Sequence, residues 1–275
     1  MKNLSCNFQK LTRVFLIACL GLISFSVHAA ETEITKKEVL YSKDGTQFQG
    51  YIISPKNAKK GSPGILMVHN WMGVTDETVH QAERFARLGY TVLTADIYGK
   101  GIRPKDPAAA GTQATIYKKD RKLFRERLNL GLDQLKKVDG IDTSKLAVVG
   151  YCFGGTGAIE LARSGAPVAA VVSFHGGLDS PKATDGNNIK GHVLALHGAI
   201  DPYVAAADVE AFENEMKANK VDYQLVKYSG TVHSFTEVAA GKDISKGAAY
   251  NETSDKRSFL AAENFLDEVF TTAKK

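Results

Sequence analysis

The sequence predicts an α/β fold, a mostly parallel central sheet with helices on both faces. Three observations predict it. Short, continuous apolar runs recur along the chain, among them Ile65 to His69, Leu146 to Gly150 and Val193 to His197, as strands buried on both faces require. Stretches with apolar residues at helical spacing separate these runs, and that alternation builds parallel sheets. No internal repeat and no long linker divides the 275 residues, so a single domain with a sizeable core is expected over residues 30–275.

A leader is expected ahead of that domain, over residues 1–29. Lys2, Lys10 and Arg13 precede an apolar run from Val14 to Val27, and Val27-His28-Ala29 sets small residues where a signal peptidase reads. The run is short for a membrane span and no stop-transfer pattern follows it. The expectation is therefore cleavage after Ala29, with Ala30 as the alternative, and no membrane association afterwards. The periplasm is the expected destination, and the extracellular medium is the alternative. Leu16-Ile17-Ala18-Cys19 resembles a lipoprotein box, but the sequence stays apolar past Cys19, where a lipoprotein turns polar.

Removing the leader changes the charge and the cysteine count. It takes three of the 35 basic residues and none of the 30 acidic ones, so the formal net charge of +5 falls to 32 basic against 30 acidic groups. A nearly neutral chain gives no ground for nucleic-acid binding. Cys6 and Cys19 leave as well, so Cys152 is the one thiol of the mature chain and an intramolecular disulfide is impossible. A lone thiol sent to an oxidising compartment is exposed to oxidation and calls for a reason.

The elements follow in order. Lys37 to Tyr41 and Phe48 to Ile53 flank Asp44-Gly45, a hairpin signal. After the strand Ile65 to His69, Thr75 and Asp76 are placed to cap a helix bearing Val79, Ala82, Phe85 and Leu88, which Gly89 ends. Tyr90 to Ala95 is the next strand. Tyr98 to Gly111, with Pro104, Pro107 and several glycines, reads as irregular, and a long helix then carries Phe124, Leu128, Leu132 and Leu135 on one face. The strand Leu146 to Gly150 leads through a Gly-rich turn into a short helix ending near Leu161. Val168 to Phe174, Val193 to His197 and Tyr223 to Tyr228 are strands. Val209, Phe212 and Met216 mark a helix before the last of these, and Ala262, Phe265, Leu266 and Val269 mark the closing helix.

The segment that carries chemistry is Gly150-Tyr-Cys152-Phe-Gly154-Gly155, between a strand and a helix. That setting is the one a nucleophile elbow requires, with small residues two positions either side of the nucleophile because the turn is too tight for side chains. The helix N-terminus would favour a thiolate there. Taken singly, Cys152 reads as a buried small hydrophobe, Asp201 as a turn former before Pro202 and His233 as an ordinary histidine. Their order changes the reading. Asp201 follows the strand Val193 to His197 and His233 follows the last strand, so nucleophile, acid and base come in the α/β-hydrolase order, each at the C-terminal end of a strand. His233 would take the thiol proton and return it to the leaving group, and Asp201 would hold the imidazole tautomer. An oxyanion hole needs two backbone N–H groups, and the candidates are Phe153, after the nucleophile, and Trp71, in the loop Asn70-Trp71-Met72-Gly73. The Trp71 ring would either line an acyl pocket or pack beside the sheet.

From about Lys37 to Phe270 the chain resembles the dienelactone hydrolase family, within the α/β-hydrolase fold. Gly150-Tyr-Cys-Phe-Gly-Gly155, His197-Gly-x-x-Asp201 and His233-Ser-Phe235 match its signature regions, and Tyr250-Asn-Glu and Arg257-Ser are similar to its C-terminal pattern. The resemblance implies Cys152, Asp201 and His233 as a triad that hydrolyses small esters and lactones without a cofactor. It also marks two departures. Founding members carry a Glu that receives the thiol proton, and Asn70 stands in the matching place, able to hydrogen-bond but not to take a proton. They also use an Arg ahead of the elbow to bind a substrate carboxylate, and none of Arg103, Arg121 and Arg125 can be assigned that part. Asn70 and Trp71 remain as substrate-binding candidates.

Other classes find little support. The sequence has no Walker A, HExxH, paired CxxC or Gly-x-Gly-x-x-Gly motif, and its histidines lack metal-ligand spacing, so neither a metal nor a cofactor is expected. Two readings remain. One is an exported hydrolase of small esters, lactones or thioesters working through a Cys152 thioester. The alternative is a non-catalytic secreted protein that binds a small ligand or partner in the same cleft. A low-pKa, alkylatable thiol separates the first from the second.

Overall fold

The computed structural model describes residues 32–272. The expected leader, its cleavage site and the Cys19 lipoprotein box lie outside the described residues. Eight strands form one sheet in the order β1-β2-β4-β3-β5-β6-β7-β8. They are β1 (Ile34–Lys43), β2 (Thr46–Pro55), β3 (Ser62–Val68), β4 (Thr91–Ala95), β5 (Ile141–Tyr151), β6 (Ala170–Phe174), β7 (His192–Gly198) and β8 (Tyr223–Tyr228). β1 and β2 form the antiparallel hairpin, β2 runs antiparallel to β4, and every pairing from β4 to β8 is parallel. The turn between β1 and β2 is the two residues Asp44 (φ 49°) and Gly45 (φ 77°), the pair of positive φ angles that a tight hairpin matching strand twist demands.

The period-2 alternation of the strands divides the core. Leu66, Val68, Leu146, Val148, Val193 and Ala195 point to one face, where α2 (Pro107–Lys119), α3 (Arg121–Leu135), α4 (Phe153–Arg163) and α5 (Ala206–Ala218) cover them. Ile65, Met67, Ala147, Val149, Leu194 and Leu196 point to the other, under α1 (Asp76–Arg87) and α6 (Glu252–Thr272). β4 and β6 are buried at every position, which is why they read as unbroken apolar runs. No helix among the described residues is long and apolar enough to cross a membrane.

One expectation is corrected. The stretch from Tyr98 to Gly111 is not irregular throughout, because α2 starts at Pro107. Asp106 caps it by accepting from the Ala109 N–H at 2.9 Å, and Pro107 occupies the first turn, where its missing N–H costs nothing and its fixed φ suits the helix. Proline here is a start signal, and the irregular segment ends at Asp106. Asp120 then separates α2 from α3, closing one helix and capping the next through the Leu123 N–H at 2.9 Å.

Candidate active site

β5 runs through the middle of the sheet and ends at Tyr151. Cys152 follows with φ 54° and ψ −117° and forms the N-cap of α4, a conformation that costs a non-glycine residue of order 1–3 kcal/mol. The neighbouring glycines make that turn possible by close approach. A Cβ on Gly150 would lie 1.9 Å from the Gly154 carbonyl oxygen, and one on Gly154 would lie 2.2 Å from that of Val68. The strained residue is tied on both sides. Its N–H is shared between the Phe174 carbonyl (3.0 Å) and His175 Nδ1 (3.1 Å), and its carbonyl accepts from Gly155 (2.9 Å) and Thr156 (3.2 Å).

Asp201 follows β7, and His233 stands in the loop after β8. The loops bring both to Cys152. His233 Nε2 lies 3.1 Å from Cys152 Sγ and Nδ1 lies 2.7 Å from Asp201 Oδ2. The carboxylate claims the Nδ1 proton and leaves Nε2 facing the sulfur. Asp201 Oδ1 accepts from the Tyr203 N–H at 2.8 Å, which fixes the carboxylate in turn. Burial alone would depress the basicity of His233, but electrostatic attraction to the Cys152 sulfur and the hydrogen bonds to Asp201 and Cys152 outweigh it and raise the imidazolium pKa to about 10. The ring of Tyr203 meets His233 edge-on at 5.4 Å between centroids.

The loop after β3 supplies the third side. No acceptor among the described residues takes the backbone N–H of Trp71 or of Phe153. Asn70 holds the loop's shape: its Oδ1 accepts from Met72 N–H at 2.9 Å and its Nδ2 donates to Glu237 Oε1 at 3.2 Å. The Tyr98 hydroxyl donates to the Trp71 carbonyl at 3.0 Å. The Trp71 ring is half-buried and packs on the core face that carries α2 to α5.

Three residues absent from the sequence-based expectations complete the surroundings. His69 is buried and neutral, its pKa lowered to about 4 by burial, with Nε2 accepting from the Ile97 N–H and Nδ1 therefore donating to the Asn70 carbonyl at 2.6 Å. His175 is also buried and held neutral, by burial first and by the charge of His233 second. Because its Nδ1 accepts from Cys152, its Nε2 carries the proton and donates to Thr236 Oγ1 at 2.8 Å, so one imidazole links the elbow to the His233 loop. His175 (φ 40°), Ser234 (φ 54°) and Cys152 are all non-glycine residues at positive φ in this one site, and backbone strain of that kind concentrates where geometry is functional. Glu237 is the third: burial raises its pKa, opposed by the Asn70 bond and the charge of His233. The sequence signal for His175 was its place at the C-terminal end of β6, on the same sheet edge as the others. Glu237 had no signal beyond lying four residues after His233.

The three arginines weighed for a substrate carboxylate, Arg103, Arg121 and Arg125, are engaged elsewhere. Arg103 donates to the carbonyls of Val74 (2.6 Å), Gly99 (3.2 Å) and Ile102 (2.7 Å). Arg125 pairs with Glu160 (2.8 Å) and Asp185 (2.7 Å), and Arg121 with Asp179 and Glu160.

Comparison with known proteins places this arrangement. The signature of the dienelactone hydrolase family matches residues 48–270. A dienelactone hydrolase-like promiscuous phosphotriesterase from metagenomic libraries superposes with a TM-score of 0.82 at 36% identity, over 86% of this chain and 98% of that one. The protein usf of Aquifex pyrophilus is 28% identical over 72% of this chain and 85% of its own length. The carboxymethylenebutenolidase homolog of Homo sapiens is 28% identical over 66% of this chain and 73% of its own. With the hydrolase sheet order, the elbow and the match over most of its length, the chain belongs to the dienelactone hydrolase family.

Proposed function

We propose that the protein hydrolyses small esters, lactones or thioesters through a thioester on Cys152. The observation that supports this most is His233 bridging the sulfur at 3.1 Å and Asp201 at 2.7 Å. The carboxymethylenebutenolidase name of the human relative supports a lactone or ester as substrate. In acylation the Cys152 sulfur attacks the carbonyl carbon, and the oxyanion that forms is received by the N–H groups of Trp71 and Phe153. Collapse breaks the C–O bond, and the leaving alkoxide takes the Nε2 proton of His233, leaving a neutral imidazole and a thioester. The sulfur is then uncharged, so the interaction that raised His233 is gone and burial favours the neutral ring. Neutral His233 can now accept a proton from water, whose hydroxide attacks the thioester. Acid release restores the sulfur anion and the imidazolium.

The same logic sets the pH dependence. His233 stays protonated until the pH approaches its raised pKa of about 10. We therefore expect kcat/KM, which reports the free enzyme, to hold through pH 9 and to fall as the pH passes about 10. A high-pH limb near the ordinary histidine value would contradict the ion pair. The direct test of the proposal is acid quenching during turnover of an activated aryl acetate, followed by peptide mass analysis. An acetyl group on the Cys152 peptide is expected; turnover without it would remove the covalent mechanism. A phosphotriester belongs in the substrate panel because the metagenomic relative is described as a promiscuous phosphotriesterase.

We propose further that the chain is exported to the periplasm after cleavage behind Ala29. The support is the basic and apolar pattern of residues 1–29 and the single cysteine that remains. N-terminal sequencing of protein from a periplasmic extract tests it, and a start at Met1 in the cytosolic fraction would reject it.

A further inference from the structure

Another carboxyl group stands beside the Cys152, His233 and Asp201 cluster, and the Asn70 bond and the charge of His233 favour its ionised form against burial. Glu237 lies on the His233 loop, its Oε1 fixed 3.2 Å from Asn70 Nδ2, and it senses the charge of His233 and of Glu77. Asn70 directly precedes Trp71, so Glu237 stands against the loop proposed to receive the reacting carbonyl, within electrostatic reach of His233. The arginines nearby are already committed. Arg103 is held by three carbonyls and faces Asp96 at 3.6 Å. Arg84 pairs with Asp255 at 2.9 Å and lies over the Phe259 ring, and Arg121 and Arg125 are bound to acids beside α4.

Two apolar side chains stand exposed beside this cluster. Tyr203 is 63% exposed although its ring edge meets His233, and Val238, next to Glu237, is 69% exposed. A substrate carboxylate entering here would add a negative charge beside Glu237, and the cation of the cluster, His233, is already engaged by Asp201 and Cys152. Like charges in a partly desolvated site repel strongly. An uncharged acyl chain meets no such barrier and gains from contact with Tyr203 and Val238.

Building on the hydrolase reading above, we propose that the site selects uncharged, apolar esters and lactones, and that Glu237 is the specificity-determining residue that turns away substrates bearing a carboxylate. It acts by repulsion, as specificity often does. The feature reverses what the family resemblance implies for the substrate carboxylate, where a cation would be needed.

The experiment compares p-nitrophenyl hexanoate with the mono-p-nitrophenyl ester of adipic acid, equal in carbon number and different in charge. Each kcat/KM is divided by the ester's own hydroxide-catalysed rate, at low ionic strength. The hexanoate is expected to be preferred by about tenfold or more. Added salt should narrow that preference, a readout that needs no variant. E237Q, which preserves the bond to Asn70, should raise the adipate-to-hexanoate ratio about fivefold, and E237K should raise it further. Equal or better use of the adipate ester by the wild type would overturn the proposal. So would a ratio unmoved by both salt and E237Q while hexanoate turnover reports a folded variant. If neither ester is turned over in a Cys152-dependent manner, the hydrolase reading fails and this inference falls with it, an outcome distinct from a missing charge preference.

Discussion

Cys152→Ala is expected to lower kcat/KM for a short activated ester by about a thousandfold or more, measured under reducing conditions. The substitution removes the sulfur 3.1 Å from His233 and leaves the elbow backbone its hydrogen bonds to the Phe174 carbonyl and from the Gly155 N–H. The protein should therefore remain folded and still bind substrate. His233→Ala should cost a similar factor, because a sulfur without its proton partner neither ionises in place nor delivers a proton to the leaving group. The double variant should be little worse than either single one, since the pair acts as a unit and removing one member already disables the other. Additive losses would show that the two side chains work independently, against the 3.1 Å contact between them. Equal, barely detectable rates from wild type and Cys152→Ala would leave the non-catalytic binding alternative standing.

Arg163→Ala is expected to destabilise the fold by about 3–5 kcal/mol, read as a lower urea midpoint at unchanged slope. Arg163 is fully buried at the end of α4 and holds two buried acids. Its Nη1 donates to Glu160 at 2.9 Å and to the Asp179 carbonyl at 2.9 Å, while Nε and Nη2 clamp Glu215 on α5. Truncation leaves Glu160 with Arg125 and Arg121 but strips Glu215 of its cation. An unpaired buried carboxylate is the costly product. Pairing Arg163→Met with Glu215→Gln should recover much of the loss, because it removes both charges together. A loss below about 1 kcal/mol in Arg163→Ala would mean that water reaches Glu215.

The parts of this protein legible in its sequence are those written in local patterns. The period of the apolar residues distinguishes β3, β5 and β7 from the helices between them, because strands buried on both faces must be continuously apolar. Asp44-Gly45 specifies its hairpin and Gly150 and Gly154 specify the elbow, since backbone conformation and close approach are properties of the residues at those positions. The order Cys152, Asp201, His233 is equally readable: parallel strands put their C-terminal ends on one edge, so strand assignment alone brings the three together. α2 is not legible in the sequence because Asp106-Pro107 carries two meanings locally, a turn or a helix start, and only the burial of Ala110, Ala114 and Tyr117 chooses between them.

What only the tertiary structure decided is which side chains oppose one another across loops. His175 becomes the acceptor for the Cys152 N–H through a contact spanning 23 residues, and Glu237 meets Asn70 across 167. The tautomers of His69 and His175, the commitment of Arg103, Arg121 and Arg125, and the buried cluster around Arg163 are of the same kind. No periodicity encodes them, because a buried polar group takes whatever partner the fold brings within about 3 Å. The sequence by itself therefore determined the sheet, the elbow and the candidate nucleophile with its acid and base. The charge and hydrogen bonding around that nucleophile, from which we infer its choice of substrate, depend on long-range contacts that exist only in the folded chain.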